Sequence, residues 1–129
     1  MTCCHVPARP LRLQDCLERG LRTRRAAPLP HLGEWIETPK GLRARFSLAV
    51  EQAVIAEIRF EATPCATLVA YCQALVEHET GRPLAASGLD ARALLALLAG
   101  VPPAHRDRAV LAVAAWRTAI PSPLQESPS

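Results

Sequence analysis

From residue 42 onward the apolar positions alternate. Leu42, Ala44, Phe46, Leu48 and Val50 are interleaved with Arg43, Arg45 and Ser47, and Val54, Ala56, Ile58 and Phe60 with Glu57, Arg59 and Glu61. A period of two belongs to a strand with one buried face, which predicts strands over about 42–50 and 54–61. Placing both apolar sets on one face pairs Val50 with Val54 and Phe46 with Ile58, and leaves Glu51, Gln52 and Ala53 as a three-residue loop. Such a loop needs a left-handed residue at its third position, where Ala53 costs on the order of 1 kcal/mol relative to glycine. A short strand over about 34–38 completes a small antiparallel three-stranded sheet.

Beyond residue 62 the period becomes helical. Thr63 reads as an N-cap and Pro64 as the first helical residue, where its missing N–H is harmless. Cys65, Leu68, Val69, Cys72, Leu75, Val76 and Glu79 then follow one face of a helix over about 64–80, stopped by Gly81. A second helix spans about 90–99, from an Asp90 N-cap to Gly100, and a third about 103–120, ended by Pro121. Ahead of the sheet, Leu11, Leu13, Leu17 and Leu21 line a short helix over about 11–22, weakened by Gly20, with 24–32 as a loop. Strands followed by helices give an α+β domain whose antiparallel sheet is covered on one face. The domain spans 11–120, between a flexible N-terminus at 1–10 and a disordered Pro/Ser tail at 121–129.

Composition narrows the function classes. The 129 residues, half apolar and 21% charged, suit one globular domain. No apolar run approaches the roughly 20 residues that span a bilayer, so a soluble, cytoplasmic protein without a membrane partner is expected. The net charge of +3 is concentrated at the start: residues 1–30 hold six arginines against Asp15 and Glu18, and the remainder is slightly acidic. An Arg-rich start is compatible with a nucleic-acid arm or a transit peptide. An aromatic content of 4% offers few stacking platforms, however, and a solvated amphipathic helix with no nucleic-acid partner is the simpler reading. Cys3, Cys4, Cys16, Cys65 and Cys72 are odd in number and lack CxxC spacing, as expected of free thiols in a reducing compartment.

Cys65 is the most informative position. At the second residue of a helix directly after a strand, unpaired N–H groups and the helix dipole stabilise a thiolate, the form that attacks or binds metal. The competing reading is a small buried hydrophobe. Cys72 lies two turns on among Leu68, Val69 and Leu75 and reads as core, and Cys16 as packing. Cys3, Cys4 and His5 form a ligand-rich cluster without preorganised geometry. His31, His78 and His105 are scattered, and the glycines are not grouped as a phosphate-binding loop, so neither a hydrolase nor a nucleotide enzyme is expected.

The segment Ala49 to Cys65, AVEQAVIAEIRFEATPC, followed by GRPL at 81–84 and LLALLAGVPPAHRDRAVLAVAAW at 94–116, resembles the iron–sulfur cluster assembly scaffold family, the IscU and NifU N-terminal type. In that family a strand with an Ile-x-x-x-x-Phe pattern leads to a Gly-Cys at the head of a helix; here Ile55, Phe60 and Cys65 match, with Pro64 in place of the glycine. The family's Leu-Pro-Pro-Val-Lys segment, which contacts a chaperone, is similar to Val101, Pro102, Pro103, Ala104 and His105. The resemblance implies a transient [2Fe–2S] cluster held by three cysteines and an Asp. Only the middle cysteine survives, as Cys65. The first cysteine and the Asp fall on Lys40 and Leu42, and the third cysteine on Arg108, with Asp107 before it as an auxiliary oxygen donor.

One cysteine does not replace three, so the resemblance implies a degenerate member. Lys40 and Arg108 would set two cations beside Cys65, where they favour a thiolate or persulfide anion. The expected role is a non-enzymatic accessory scaffold or persulfide sulfur acceptor through Cys65, partnered by a cysteine desulfurase and a chaperone. A cofactor would be a transient cluster, or an iron or zinc ion, completed by Cys3, Cys4 or the second chain of a homodimer. The alternative is a docking module of the same fold that has lost cluster binding.

Overall fold

The computed structural model describes residues 11–23 and 27–121. The expected flexible N-terminus and nearly all of the expected Pro/Ser tail lie outside the described residues, as do Cys3, Cys4 and His5. In chain order the elements are β1 (Leu11–Arg12), α1 (Leu13–Thr23), β2 (His31–Leu32), β3 (Ile36–Glu37), β4 (Arg43–Glu51), β5 (Val54–Ala62), α2 (Ala66–Glu79), α3 (Ala91–Leu97), β6 (Leu98–Ala99) and α4 (Asp107–Ala119). The fold is α+β, with an antiparallel sheet and four helices. No helix among the described residues is long and apolar enough to cross a membrane.

The alternation over 42–50 produces β4, the central strand, with β5 on one side and the short β2 and β3 on the other. The register differs from the expected one. Phe46 pairs with Phe60, Leu48 with Ile58, Val50 with Ile55 and Glu51 with Val54. The connection is therefore a two-residue turn, Gln52–Ala53, and both residues are left-handed, with φ of 54° and 65°. Such a turn matches the twist of the strands and needs positive φ at both central positions. The register shifts between Ala49 and Val50, leaving Ala56 as the extra residue of a bulge. One inserted residue flips the faces, so Ile55 is buried and Ala56 exposed, against the simple alternation. The edge of β5 is met by the 81–84 segment, through Ile55 N to Arg82 O (2.9 Å), Gly81 N to Ile55 O (2.7 Å) and Leu84 N to Ala53 O (2.8 Å).

Phe46, Phe60 and Trp116 form the aromatic centre of the core, with Phe46 edge-on to Trp116 at 5.7 Å between centroids. On the other face of the sheet the guanidinium groups of Arg43 and Arg45 lie 4.3 and 4.7 Å from the centroid of the Trp35 ring. The α2 helix is buried continuously from Thr67 to Leu75, wider than the single stripe its sequence suggests, because α1, β5, α3 and α4 all pack on it. Against α1 the approach is closest at Gly20, where a Cβ would stand 2.7 Å from Val69 Cγ1. Gly20 is thus a packing requirement rather than only a weakness of α1. The buried face of α1 includes Cys16, while Leu21 is exposed.

Three element ends also differ from expectation. Leu11–Arg12 and Leu98–Ala99, both expected to be helical, form a parallel two-stranded ladder. His31–Leu32, expected as loop, pairs with Leu48 and Ser47 of β4. Thr63 does not cap α2; it closes the sheet, its Oγ1 accepting from Arg43 N at 2.8 Å, and Cys65 takes the N-cap position. The Asp90 cap of α3 is as expected, with Ala93 N donating to Asp90 Oδ1 at 2.8 Å.

Two stability predictions follow from this packing. Ala53→Gly relieves the left-handed Cβ and raises unfolding free energy by about 1 kcal/mol in urea denaturation. On the α1–α2 seam, burial pushes the Glu77 carboxyl up, but hydrogen bonds from Arg19 and Gln73 outweigh it and hold the group below its ordinary value of 4.5. A depressed folded-state value contributes stability above 4.5 that is lost as pH falls through the folded value. The stability gap between wild type and Glu77→Gln, measured across pH, is therefore widest near neutrality and closes in acid.

Candidate functional site around Cys65

The head of α2 is set by the chain that enters it. Thr63 is fixed to Arg43, Cys65 N donates to Thr63 O at 2.6 Å, and Cys65 O accepts from Val69 N at 2.9 Å. Cys65 is extended, with φ −112° and ψ 121°, one position before the first helical residue. Its side chain makes no capping hydrogen bond and is half-buried. The thiol is thus placed at the positive end of a long helix without being consumed by it.

The 101–108 segment supplies the facing groups. A single 3₁₀ turn, Pro103–His105, turns the chain into α4. His105 Nδ1 and the buried Thr67 Oγ1 share a 3.0 Å hydrogen bond, with donor and acceptor set by the ring's tautomer. Arg108 donates to Asp107 Oδ1 at 2.6 Å and to Ala104 O at 3.4 Å. Its guanidinium is held above its ordinary range first by Asp107 and then by Cys65, so that its charge acts near the thiol. Arg108 Nε is buried without a hydrogen-bond partner among the described residues.

Lys40 sits at the tip of the β3–β4 hairpin, where Gly41 turns with φ 88° and its N–H donates to Thr38 O at 2.9 Å. Arg108, by hydrogen bonding and charge, and Lys40, by charge, hold the exposed Asp107 carboxylate below its ordinary range. Leu42, at the position implied for the family's aspartate, is half-buried and packs on the core. Pro102, Pro103 and Ala104 are exposed between half-buried Val101 and His105. The structure therefore brings Cys65 and Arg108 together and ties Lys40 to the same corner through Asp107. The Thr67–His105 pair had no sequence signal, because its two residues lie on separate elements with no shared motif.

The residues at this corner do not fit a cluster, or an iron or zinc ion, held by this site alone. One thiol is present, the nearby carboxylate is engaged by two cations, and soft metals and clusters want several thiolates. Among the described residues no group of three His, Cys, Asp or Glu side chains is placed to hold a metal ion.

The remaining described cysteines contrast with Cys65. Burial raises the Cys16 thiol to about 11, with Glu77 adding to the effect, and burial pushes Cys72 up further still. In the folded protein at pH 7.5, iodoacetamide should label Cys65 at least tenfold faster than Cys16 or Cys72, read by peptide mass mapping.

The family model described as the NifU-like N terminal domain matches residues 18–125, which includes the whole sheet, α2 and the 101–108 segment. No curated protein matches the chain. The chain belongs to the NifU-like N-terminal domain family, a family of iron–sulfur cluster assembly scaffolds.

Proposed function

We propose that this chain serves iron–sulfur cluster assembly as a sulfur acceptor through Cys65, taking sulfane sulfur from a cysteine desulfurase. The observation that carries the reading is the half-buried Cys65 at the head of α2, within the influence of the Arg108 charge. In the transfer, the Cys65 thiolate attacks the terminal sulfur of a persulfide on the donor cysteine. A new S–S bond forms at Cys65, the donor S–S bond breaks, and its electron pair leaves on the donor thiolate. The proton released from Cys65 passes to solvent, and there is no net oxidation because one persulfide replaces another. The product is an anion, and its charge is offset by Arg108 and by the free N–H groups of the first turn of α2.

A second reading rests on the exposed Pro102–Pro103–Ala104 ridge, which suits a docking module that binds a chaperone without sulfur chemistry. The two readings separate in one experiment. Incubated anaerobically with a desulfurase and cysteine, the wild-type chain gains the mass of one sulfur and Cys65→Ser gains none. Arg108→Gln slows the gain by about tenfold, the loss of one charge-assisted hydrogen bond. A wild-type mass that does not change, together with chaperone capture retained in Cys65→Ser, gives the docking module its place.

A further inference from the structure

A second polar site lies beside the connection from α3 to α4. A cavity of roughly 480 Å³, within the size range of small-molecule sites, opens between α2, α3 and the 98–106 segment. Arg92 of α3, Arg106 at the entry to α4 and Tyr71 of α2 supply its polar groups, and Leu95, Leu98 and Val101 its apolar wall. Tyr71 is 1% exposed and still contributes to the cavity lining. Burial raises the Tyr71 hydroxyl's pKa and the Arg106 charge opposes the rise. Neither arginine is paired with a carboxylate among the described residues. Two guanidinium groups without a carboxylate partner and a phenol thus line a hollow with an apolar wall.

We propose that this cavity binds a small organic acid, its carboxylate held by Arg92, Arg106 and the Tyr71 hydroxyl and its short aliphatic body resting on Leu95, Leu98 and Val101. Guanidinium groups match the planar, bidentate shape of a carboxylate. A bare inorganic anion would satisfy the arginines and leave the apolar wall wet, which favours a ligand with both parts. The site draws on none of the groups assigned to sulfur transfer, so it stands or falls apart from that reading.

The test is calorimetric titration of the full chain with 4-methylpentanoate, beside 4-methylpentanamide and inorganic phosphate. The carboxylate should bind at least tenfold more tightly than either comparator, since the amide lacks the charge and phosphate lacks the stem. Arg92→Gln and Arg106→Gln, both at exposed positions, should each weaken binding at least fivefold with unchanged melting temperature, and Tyr71→Phe about threefold. Cys65→Ser should bind as wild type. The proposal is overturned if the wild type shows no binding of the carboxylate, if the amide or phosphate binds as well, or if the two arginine variants bind like wild type.

Discussion

Burying α2 on every side is the constraint from which the rest of the structure follows. A helix packed by α1, β5, α3 and α4 cannot rotate or slide without opening several seams at once, since Leu68, Val69, Cys72 and Leu75 are all fully enclosed. Close-packed neighbours must then be small where they meet it, as Gly20 is against Val69. The same immobility fixes the one end of α2 that meets solvent. Cys65 inherits its position from that packing, and the Thr63–Arg43 closure of the sheet delivers the chain to it at a set angle.

The entry to α4 carries three charged side chains in a row, of which Asp107 and Arg108 pair with each other. Arg106 lines the cavity beside Tyr71, Asp107 shares a pocket lining with Lys40 of the hairpin, and the Arg108 charge acts near Cys65. In a scaffold of this family the corresponding corner would be rich in thiolates, which attract iron. Here the described corner holds one thiol, with the Arg108–Asp107 ion pair near it.

Much of this was legible in the chain. The alternation of Leu42 to Val50 specified the central strand, Asp90 announced α3, and Pro121 marked the end of α4. The register was not legible, because Ala56 is apolar and fits a strict alternation as well as Ile55 does; only pairing reveals the bulge. The five-residue spacing of Ile55 and Phe60 held that information, since an odd spacing shares one face only across an inserted residue. Leu98 and Ala99 continue an apolar run that reads equally as helix, and their partners are far away in sequence. At the site, Cys65 and Arg108 could be aligned from family resemblance, whereas Thr67–His105 and the Tyr71 cavity depend on tertiary packing that no local pattern encodes.

The β1–β6 ladder has a consequence for the order in which the molecule assembles. It joins Leu11 to Leu98 and Arg12 to Ala99 through two residue pairs that lie far apart in the sequence. Closing so long a loop carries its entropic cost before the pairing returns anything, whereas the β4–β5 hairpin forms locally. The α1 unit therefore docks late and opens early relative to the hairpin and α2. Cys16, enclosed beside the Arg19–Glu77 pair, is thus shielded by the docking of α1 as well as by its own weak acidity.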